Sequence, residues 1–90
     1  MVFTWDPHKA AENQRKHRVD FREASTVLED ALATTFPDPG HSRLERRYLT
    51  IGRSRHGRLL VVAHTEVAEV VRIISARRAT RRERRFHEEG

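Results

Sequence analysis

The feature that most constrains the fold is the stretch from Val70 to Arg85, where an apolar segment changes into an arginine-rich one. Its first part, Val70–Ile74, is β-branched except for one arginine, which favours a strand. Thr80-Arg81-Arg82-Glu83 then has the spacing of a helix capping box, a hydroxyl answered by a carboxylate three residues later. We therefore predict a strand that ends near Arg77, a short corner, and a helix that begins at Thr80.

The arginines of this stretch can be explained in two ways. Arg72 stands inside the predicted strand, where an unpaired guanidinium is costly to bury, so it must reach a partner, a cleft or solvent. With further arginines at the strand end, it could bind a polyanion; alternatively, these side chains could be solvated stems beside a basic helix. The arginines concerned are Arg72, Arg77, Arg78, Arg81, Arg82, Arg84 and Arg85.

Charge is distributed unevenly along the chain. Residues 1–42 hold five Lys/Arg and seven Asp/Glu, whereas residues 43–90 hold thirteen and six, which together give the net charge of +5. Sixteen of the eighteen cations are arginine, whose guanidinium binds phosphate through two parallel hydrogen bonds and stacks on bases. Because the pI is about 10.9, nucleic acid is the first partner to test, and an acidic protein is the alternative.

Length and composition exclude several kinds of protein. With 90 residues, the chain is expected to form one domain, residues 1–90, with a modest core. It has no cysteine, so disulfides and thiolate metal sites are excluded. There is no apolar run of membrane length and no signal-peptide segment, so we expect a cytoplasmic protein without membrane contact.

The sequence shows no motif for a cofactor or a metal ion. The glycine-rich motifs that bind nucleotides are absent, and none of the six histidines forms the H-x-x-x-H or H-E-x-x-H pattern of a metal site. We therefore expect that the protein uses neither a cofactor nor a metal ion.

The remaining elements follow from capping residues and apolar spacing. Asp6-Pro7 predicts the start of one helix, to about Arg18, and Asp20-Phe21-Arg22-Glu23 predicts a second helix, to about Asp30. Apolar or alternating runs predict strands at residues 2–5, 32–36, 46–53, 59–64 and 70–77. Residues 37–42 are typical of a turn, and residues 52–58 of a basic hairpin loop.

This order, β-α-α-β-β-β-(β)-α, predicts an α+β fold. We expect an antiparallel sheet with two N-terminal helices on one face and a C-terminal helix. The side covered by the N-terminal helices is expected to take Phe3, Trp5, Phe21 and Leu28. The opposite face is expected to be open or only partly covered, and lined by residues such as Tyr48, Thr50, His64 and Arg72.

Arginine, histidine, lysine and tyrosine side chains near such a sheet can cleave RNA without a metal ion. A base removes the proton of the ribose 2′-hydroxyl, which attacks the adjacent phosphorus, while fixed cations stabilise the phosphorane oxygens and an acid protonates the departing 5′-oxygen. The acid–base candidates are His17, His64 and His87, although His64 could be a core histidine and His17 a helix cap. Arg72 and Arg77 are the candidates for stabilising transition-state charge. The candidates for binding RNA phosphates are Lys16, Arg53, Arg55, Arg78, Arg81 and Arg84.

Several spaced motifs resemble those of BrnT-type toxins, a family long known as a domain of unknown function. In the N-terminal half they are Trp5-Asp6-Pro7-x-Lys9, Asn13, Lys16-His17 and Phe21-x-x-Ala24. Further on they are Asp38-x-x-His41-Ser42, Ile51-Gly52, Arg72-Ile73-Ile74-Ser75-Ala76-Arg77 and Arg81-x-Glu83-Arg84. The resemblance covers nearly the whole chain.

The resemblance implies a compact fold like that of RelE-type ribonucleases and an endoribonuclease that blocks translation by cutting RNA. It also implies an antitoxin of the ribbon-helix-helix kind, which masks the toxin in a hetero-oligomer and brings the complex to operator DNA. Two positions depart from the family pattern. Arg18 stands where glycine is usual, and His87 stands where the C-terminal helix usually carries a tyrosine.

Two other functions are compatible with the same residues. A non-catalytic RNA-binding or ribosome-associated module would use the arginines only to bind phosphates. A protein-interaction module would use the basic face for an acidic partner. The histidines favour the nuclease, and growth arrest on expression of the chain alone would distinguish it from a passive binder.

Overall fold

Residues 1–38 and 46–89 are described by the structure, a computed structural model. Within them the elements are β1 (Val2–Thr4), α1 (Pro7–His17), α2 (Phe21–Val27), β2 (Thr34–Pro37), β3 (Arg47–Arg53), β4 (Leu59–Val67), β5 (Val70–Arg78) and α3 (Arg81–Glu89). The strands form one sheet in the order β1-β5-β4-β3-β2. The predicted α+β class is confirmed, but the sheet is mixed rather than antiparallel, because β1 pairs with β5 in parallel.

The first two helices begin at the predicted capping residues. Asp6 accepts a hydrogen bond of 2.8 Å from the backbone N–H of His8, and Asp20 accepts one of 2.7 Å from that of Glu23. α1 ends at His17, and Arg18 adopts the left-handed conformation with a φ of 59°. Arginine therefore takes the conformation that a glycine adopts without strain, so the tight corner is kept despite the departure from the family pattern. α2 ends at Val27, three residues before the predicted end.

The two faces of the sheet carry separate core clusters. The larger cluster lies under α1 and α2, on what we call the α1/α2 face, and its buried members are Val19, Phe21, Ala24, Val27, Leu60, Val62, Ile73 and Ala76. The smaller cluster lies under α3, on the α3 face, and its buried members are Ile51, Leu59 and Val61. Because each fully buried aliphatic or aromatic side chain contributes about 1.5–3 kcal/mol, the larger cluster supplies most of the apolar stabilisation.

A bulge in β5 decides which arginines share a face. Ala63 pairs with Ser75 while His64 pairs with Ile73, so Ile74 is an extra residue in β5. Side chains alternate along a regular strand, which would place Arg72 and Arg77 on opposite faces. The extra residue shifts the alternation by one position, so both arginines project from the α3 face. There Arg72 pairs directly with Thr65 of β4, and Arg77 with Val61.

The composition of the predicted open face is wrong. Thr50 in β3 and His64 in β4 alternate along their strands with members of the smaller cluster. Their side chains therefore lie on the α1/α2 face, where both are buried. Tyr48 pairs with His64 and shares that face. Of the four residues predicted to line this surface, only Arg72 lies on the α3 face, because the bulge at Ile74 separates it from the face that His64 occupies.

α3 begins with the predicted capping box. The backbone N–H of Thr80 donates to Glu83 Oε1 at 2.8 Å, and the backbone N–H of Glu83 donates to Thr80 Oγ1 at 3.1 Å. None of the described residues of α3 is buried, and Phe86 is 62% exposed. Polar contacts to the sheet therefore carry much of its attachment: Arg77 bonds to Glu83, and Arg53 bonds to Glu88 at 3.0 Å.

Two loops were predicted between the strands. The basic loop after β3 is confirmed as a tight hairpin, in which the N–H of Ser54 donates to the carbonyl of Arg58 at 2.9 Å and Gly57 has a φ of 80°. The turn predicted at residues 37–42, including His41 and Ser42, lies outside the described residues beyond Asp38. No helix within the described ranges is long and apolar enough to span a membrane.

Candidate functional site

The α3 face is only partly covered by its helix. α3 lies over a cavity lined by Phe36, Ile51 and Val61, and nearer the β4–β5 hairpin Arg72, Val70 and Val67 are exposed while Ala63 and Thr65 are buried. Residues paired directly across the strands form rows, and one row runs Thr4, Arg72, Thr65, Arg47, in which Thr4 and Arg72 are exposed, Arg47 is half-buried and Thr65 is buried. The exposed end of this row places the Arg72 guanidinium beside the hydroxyl of Thr4, a combination that suits a phosphodiester backbone.

Arg72 is the most available cation of this row. It is exposed, and its side chain has no hydrogen bond or ion pair with the part of the chain that the structure describes. Arg47 at the other end of the row is half-buried and is held by a polar contact of its own. Arg72 can therefore contact a phosphate without first breaking an internal ion pair.

Arg77 shares the face but is already engaged. Its two terminal nitrogens donate to the two carboxylate oxygens of Glu83 at 2.8 and 2.9 Å. This hydrogen bonding lowers the pKa of Glu83 to about 2 and raises the pKa of Arg77. Because its charge is compensated by Glu83, Arg77 is placed to anchor the first turn of α3, which differs from the charge-stabilising role expected from the sequence.

His64 is built into the interior. Its side chain is 1% exposed, its Nε2 is 2.7 Å from Thr50 Oγ1, and Thr50 in turn bonds to Thr35 at 2.6 Å. The ring stacks on Tyr48 with centroids 5.9 Å apart, and burial lowers its pKa. This position is not compatible with the acid–base role predicted for His64, because the ring lies on the face opposite Arg72 and cannot reach an RNA bound there.

The other two predicted histidines lie at separate places. His17 is exposed at the end of α1 and lines a cleft of about 240 Å³ at the edge of β5, together with Lys9, Glu12, Asn13, Lys16, Ile74 and Ser75. His87 is half-buried on α3 near Asp30, whose pKa is lowered chiefly by hydrogen bonds from the backbone N–H groups of Arg53 and Leu32 and to a smaller extent by His87. The structure therefore does not bring the three histidines together in one centre.

The predicted phosphate-binding residues also separate into groups. Arg81 and Arg84 are exposed on α3, with Arg84 3.7 Å from Glu88, and Arg53 beneath them donates to the carbonyl of Gly57 and to Glu88. Lys16 lines the cleft beside His17, and Arg55 is exposed on the β3–β4 hairpin. Arg78 pairs with Leu60 and so lies on the α1/α2 face.

Asn13 is a structural residue whose role the sequence pattern did not reveal. Its amide nitrogen donates to the carbonyls of Val19 and Ala76 at 2.9 and 2.8 Å, and its amide oxygen accepts from the N–H of Ala76 at 3.1 Å. β1 pairs with β5 only as far as Arg72, so Asn13 satisfies the backbone of β5 beyond that point. A polar residue on the weakly apolar face of α1 was the available signal.

Glu23 and Arg58 form a second unforeseen contact. Arg58 Nε donates to Glu23 Oε2 at 2.9 Å, Ser54 Oγ donates to the same oxygen at 2.7 Å, and Glu23 is only 4% exposed. Hydrogen bonding to Arg58 lowers the pKa of Glu23 to about 2. Arg58 also donates to the carbonyl of Arg18, so this group joins the β3–β4 hairpin to α2 and to the corner between α1 and α2.

Comparison with known proteins identifies the family. A family model described as the ribonuclease toxin BrnT of a type II toxin–antitoxin system matches residues 5–83. The chain belongs to the BrnT toxin family. The 1.1 Å crystal structure of the Brucella abortus ribonuclease toxin BrnT matches with a TM-score of 0.69 and 26% identity, covering 90% of this chain and 100% of that one. Comparison with curated proteins gives no significant match.

Membership in the BrnT family confirms the resemblance inferred from the motifs, and it assigns the chain to ribonuclease toxins that work with an antitoxin. The likeness to RelE-type ribonucleases stays a prediction. The match to the BrnT family includes Arg72 and Arg77 but ends before His87. Among the described residues, no group of three or more His, Cys, Asp or Glu side chains is placed to hold a metal ion.

Proposed function

We propose that this chain is an endoribonuclease that cleaves RNA without a metal ion. The ribose 2′-hydroxyl attacks the adjacent phosphorus, the bond to the 5′-oxygen breaks, and the products carry 2′,3′-cyclic phosphate and 5′-hydroxyl ends. The observation that carries the proposal is the position of Arg72, which is exposed and unpaired among the described residues on the open α3 face of a ribonuclease-family fold.

The proposal gives the arginines different roles. Arg72 stabilises the charge that develops on the phosphorane oxygens, since a fixed cation at that point strengthens its interaction as the charge grows. Arg81 and Arg84 on α3 bind flanking phosphates as exposed cations. Arg77 positions α3 through Glu83 rather than contacting the RNA.

The proton transfers fall to the accessible histidines. His87 is one candidate because an imidazole can act as acid or base near neutrality, although α3 meets the sheet at the end of β5 away from Arg72. His17 is the second candidate. Its cleft at the edge of β5 includes Ser75, which lies three residues after Arg72 in β5 and pairs with Ala63 of β4. His64 is not a candidate in this mechanism, because it is buried on the other face.

The proposal extends to partners and cellular effect. The antitoxin is of the ribbon-helix-helix, DNA-binding kind, so that operator DNA is reached only through the complex. RNA cleavage inhibits translation in the cytoplasm, and antitoxin binding prevents it. This part is supported by membership in a type II toxin–antitoxin family.

Replacement of Arg72 tests the role of the open face. Arg72→Ala should lower kcat for a short RNA substrate by about 10² to 10³, the usual effect of losing one transition-state donor. Arg84→Ala should mainly raise KM and flatten its salt dependence, as loss of a single phosphate contact does. Arg22→Ala, an equal charge change at an exposed position on α2, is the control and should leave both constants unchanged.

The same assay separates the nuclease from a passive RNA-binding module. A module of that kind would bind RNA without cleaving it, and both Arg72→Ala and Arg84→Ala would then weaken binding by similar factors. Unchanged kcat in a folded Arg72→Ala variant would contradict the role of Arg72.

A further inference from the structure

Three exposed valines lie side by side where β5 begins. Val2 pairs with Val70, and Val70 pairs with Val67, so one residue from each of β1, β5 and β4 lies in a single row. Directly paired residues project from the same face, and for this row it is the α3 face. The exposed fractions are 56% for Val2, 41% for Val70 and 75% for Val67. We call this set the valine row.

The valine row lies next to the row that contains Arg72. Val70 and Arg72 are two residues apart in β5, and so are Val67 and Thr65 in β4, so the two rows are neighbours on one face. The three valines and Arg72 are exposed, and α3 lies toward the opposite end of β5, over Phe36, Ile51 and Val61. The surface therefore combines a flat aliphatic strip with an exposed positive charge.

The hairpin that carries two of the valines has a tight turn. Val67 and Val70 are joined by two residues, and the first of them, Ala68, has a φ of 56°. This left-handed conformation costs a residue with a Cβ about 1–2 kcal/mol, so the surrounding pairing must impose it. The N–H of Val2 donates to the carbonyl of Glu69 at 2.9 Å and joins β1 to the hairpin. The ends of β1, β4 and β5 therefore meet at the valine row.

We propose that the valine row together with Arg72 is the docking site of the antitoxin, for a segment that offers aliphatic side chains beside a carboxylate. This inference rests on the proposed function for the identity of the partner. The aliphatic side chains cover the valines, and the carboxylate pairs with Arg72. A segment bound in this way occupies the cation that the RNA phosphate needs, so docking and inhibition follow from one contact.

The chemistry of the row distinguishes a protein partner from RNA and from a second copy of the chain. RNA bases stack on aromatic rings and guanidinium planes, and exposed valines offer neither. In a twofold dimer through this surface, Arg72 of each copy would approach the same positive surface of the other, in a chain with a net charge of +5. An acidic and aliphatic protein segment satisfies both parts of the surface.

The test compares two equally exposed aliphatic positions. Val67→Glu places a carboxylate in the valine row, and Leu32→Glu makes a similar change at a residue that is 80% exposed on the connection between α2 and β2. The purified antitoxin encoded beside this gene is titrated into each variant by calorimetry at fixed salt. Val67→Glu should weaken binding by at least about tenfold, as loss of an interface anchor does, whereas Leu32→Glu should bind like the wild type.

The activity assay provides the second readout. Val67→Asn, which removes the aliphatic side chain and adds no charge beside Arg72, should cleave RNA at the wild-type rate but resist inhibition by added antitoxin. Val67→Thr, which keeps a β-branched side chain, should show a weaker effect in the same direction and protects against a folding artefact. If the wild type proves inactive on RNA, the proposed function fails, and the binding comparison still tests the docking site.

Three results would overturn the inference. One is wild-type antitoxin affinity in a folded Val67→Glu variant. Another is loss of RNA cleavage in the uncharged Val67→Asn variant with antitoxin binding retained, which would assign the valine row to the substrate. The third is a wild-type dimer in sedimentation that Val67→Glu dissociates, which would assign the row to a second copy of the chain.

Discussion

At the scale of single residues, local patterns predicted which residues cap the helices but not where every side chain points. Asp20 caps α2 as its spacing indicated, whereas Glu23, the expected second half of that capping box, turns inward to Arg58 and Ser54. Arg58 lies 35 positions further along the chain than Glu23. A pattern of four residues cannot contain that information, because the contact depends on how the β3–β4 hairpin packs against α2.

The Glu23–Arg58 pair predicts how stability changes with pH. The folded pKa of Glu23 is about 2 against an ordinary value of 4.5, so its contribution is fully present above about pH 4.5 and is lost as the pH falls toward 2. A shift of this size corresponds to on the order of 3 kcal/mol of unfolding free energy. The lowered pKa of Glu83 also contributes stability that is lost in acid, but its side chain is about one-third exposed, so this contribution is smaller.

Urea unfolding at several pH values between 7 and 2.5 measures this contribution. Glu23→Gln should be less stable than the wild type at pH 7 by on the order of 3 kcal/mol, because Arg58 loses its partner, and should lose less stability in acid. Glu29→Gln, at an exposed position, is the control and should follow the wild-type pH dependence. Parallel curves for the wild type and Glu23→Gln would show that the pair does not stabilise the fold.

At the scale of elements, the type and order of the helices and strands were accessible from the sequence, and their faces were not. β3, β4 and β5 were predicted from alternation and β-branched residues, and the capping box of α3 was found at Thr80. The bulge at Ile74 was not, since it follows from pairing between β4 and β5 rather than from residue type. Because of this extra residue, the side chains of His64 and Arg72 lie on opposite faces of the sheet and cannot act together.

Removing the cap of α3 tests how that helix is held. Thr80→Ala should destabilise α3 by about 1 kcal/mol, because the N–H of Glu83 loses its acceptor. Amide hydrogen exchange in residues 81–89 should accelerate more than exchange in β4, since α3 has no buried residue among those described. RNA cleavage at low temperature should survive.

Ser25→Ala is the matched control for this experiment. Its hydroxyl donates to the carbonyl of Arg22 inside α2, so no unsatisfied helix N–H is created by its loss. Exchange in α3 should then match the wild type. Abolished cleavage in Thr80→Ala with unchanged exchange in α3 would give Thr80 a functional role in place of a structural one.

At the scale of the whole molecule, the motif pattern predicted the family, and the structure changed the expected site. The spaced residues from Trp5 to Arg84 led to BrnT toxins, and the family match over residues 5–83 confirms this. The candidates that the sequence suggested, three histidines and two arginines, are not brought together at one place. Arg72 remains available on the open α3 face, Arg77 is paired with Glu83, and His64 belongs to the core.

The central claim is that the substrate's own 2′-hydroxyl is the nucleophile and that no metal ion takes part. The most direct measurement is cleavage of a short RNA by the purified toxin in EDTA, beside the same RNA with a single 2′-deoxy sugar at the cut site, with product ends identified by mass spectrometry. We expect undiminished cleavage in EDTA, 2′,3′-cyclic phosphate and 5′-hydroxyl ends, and no cut at the deoxy position. Activity that requires added magnesium, or cleavage at the deoxy position, would contradict the claim.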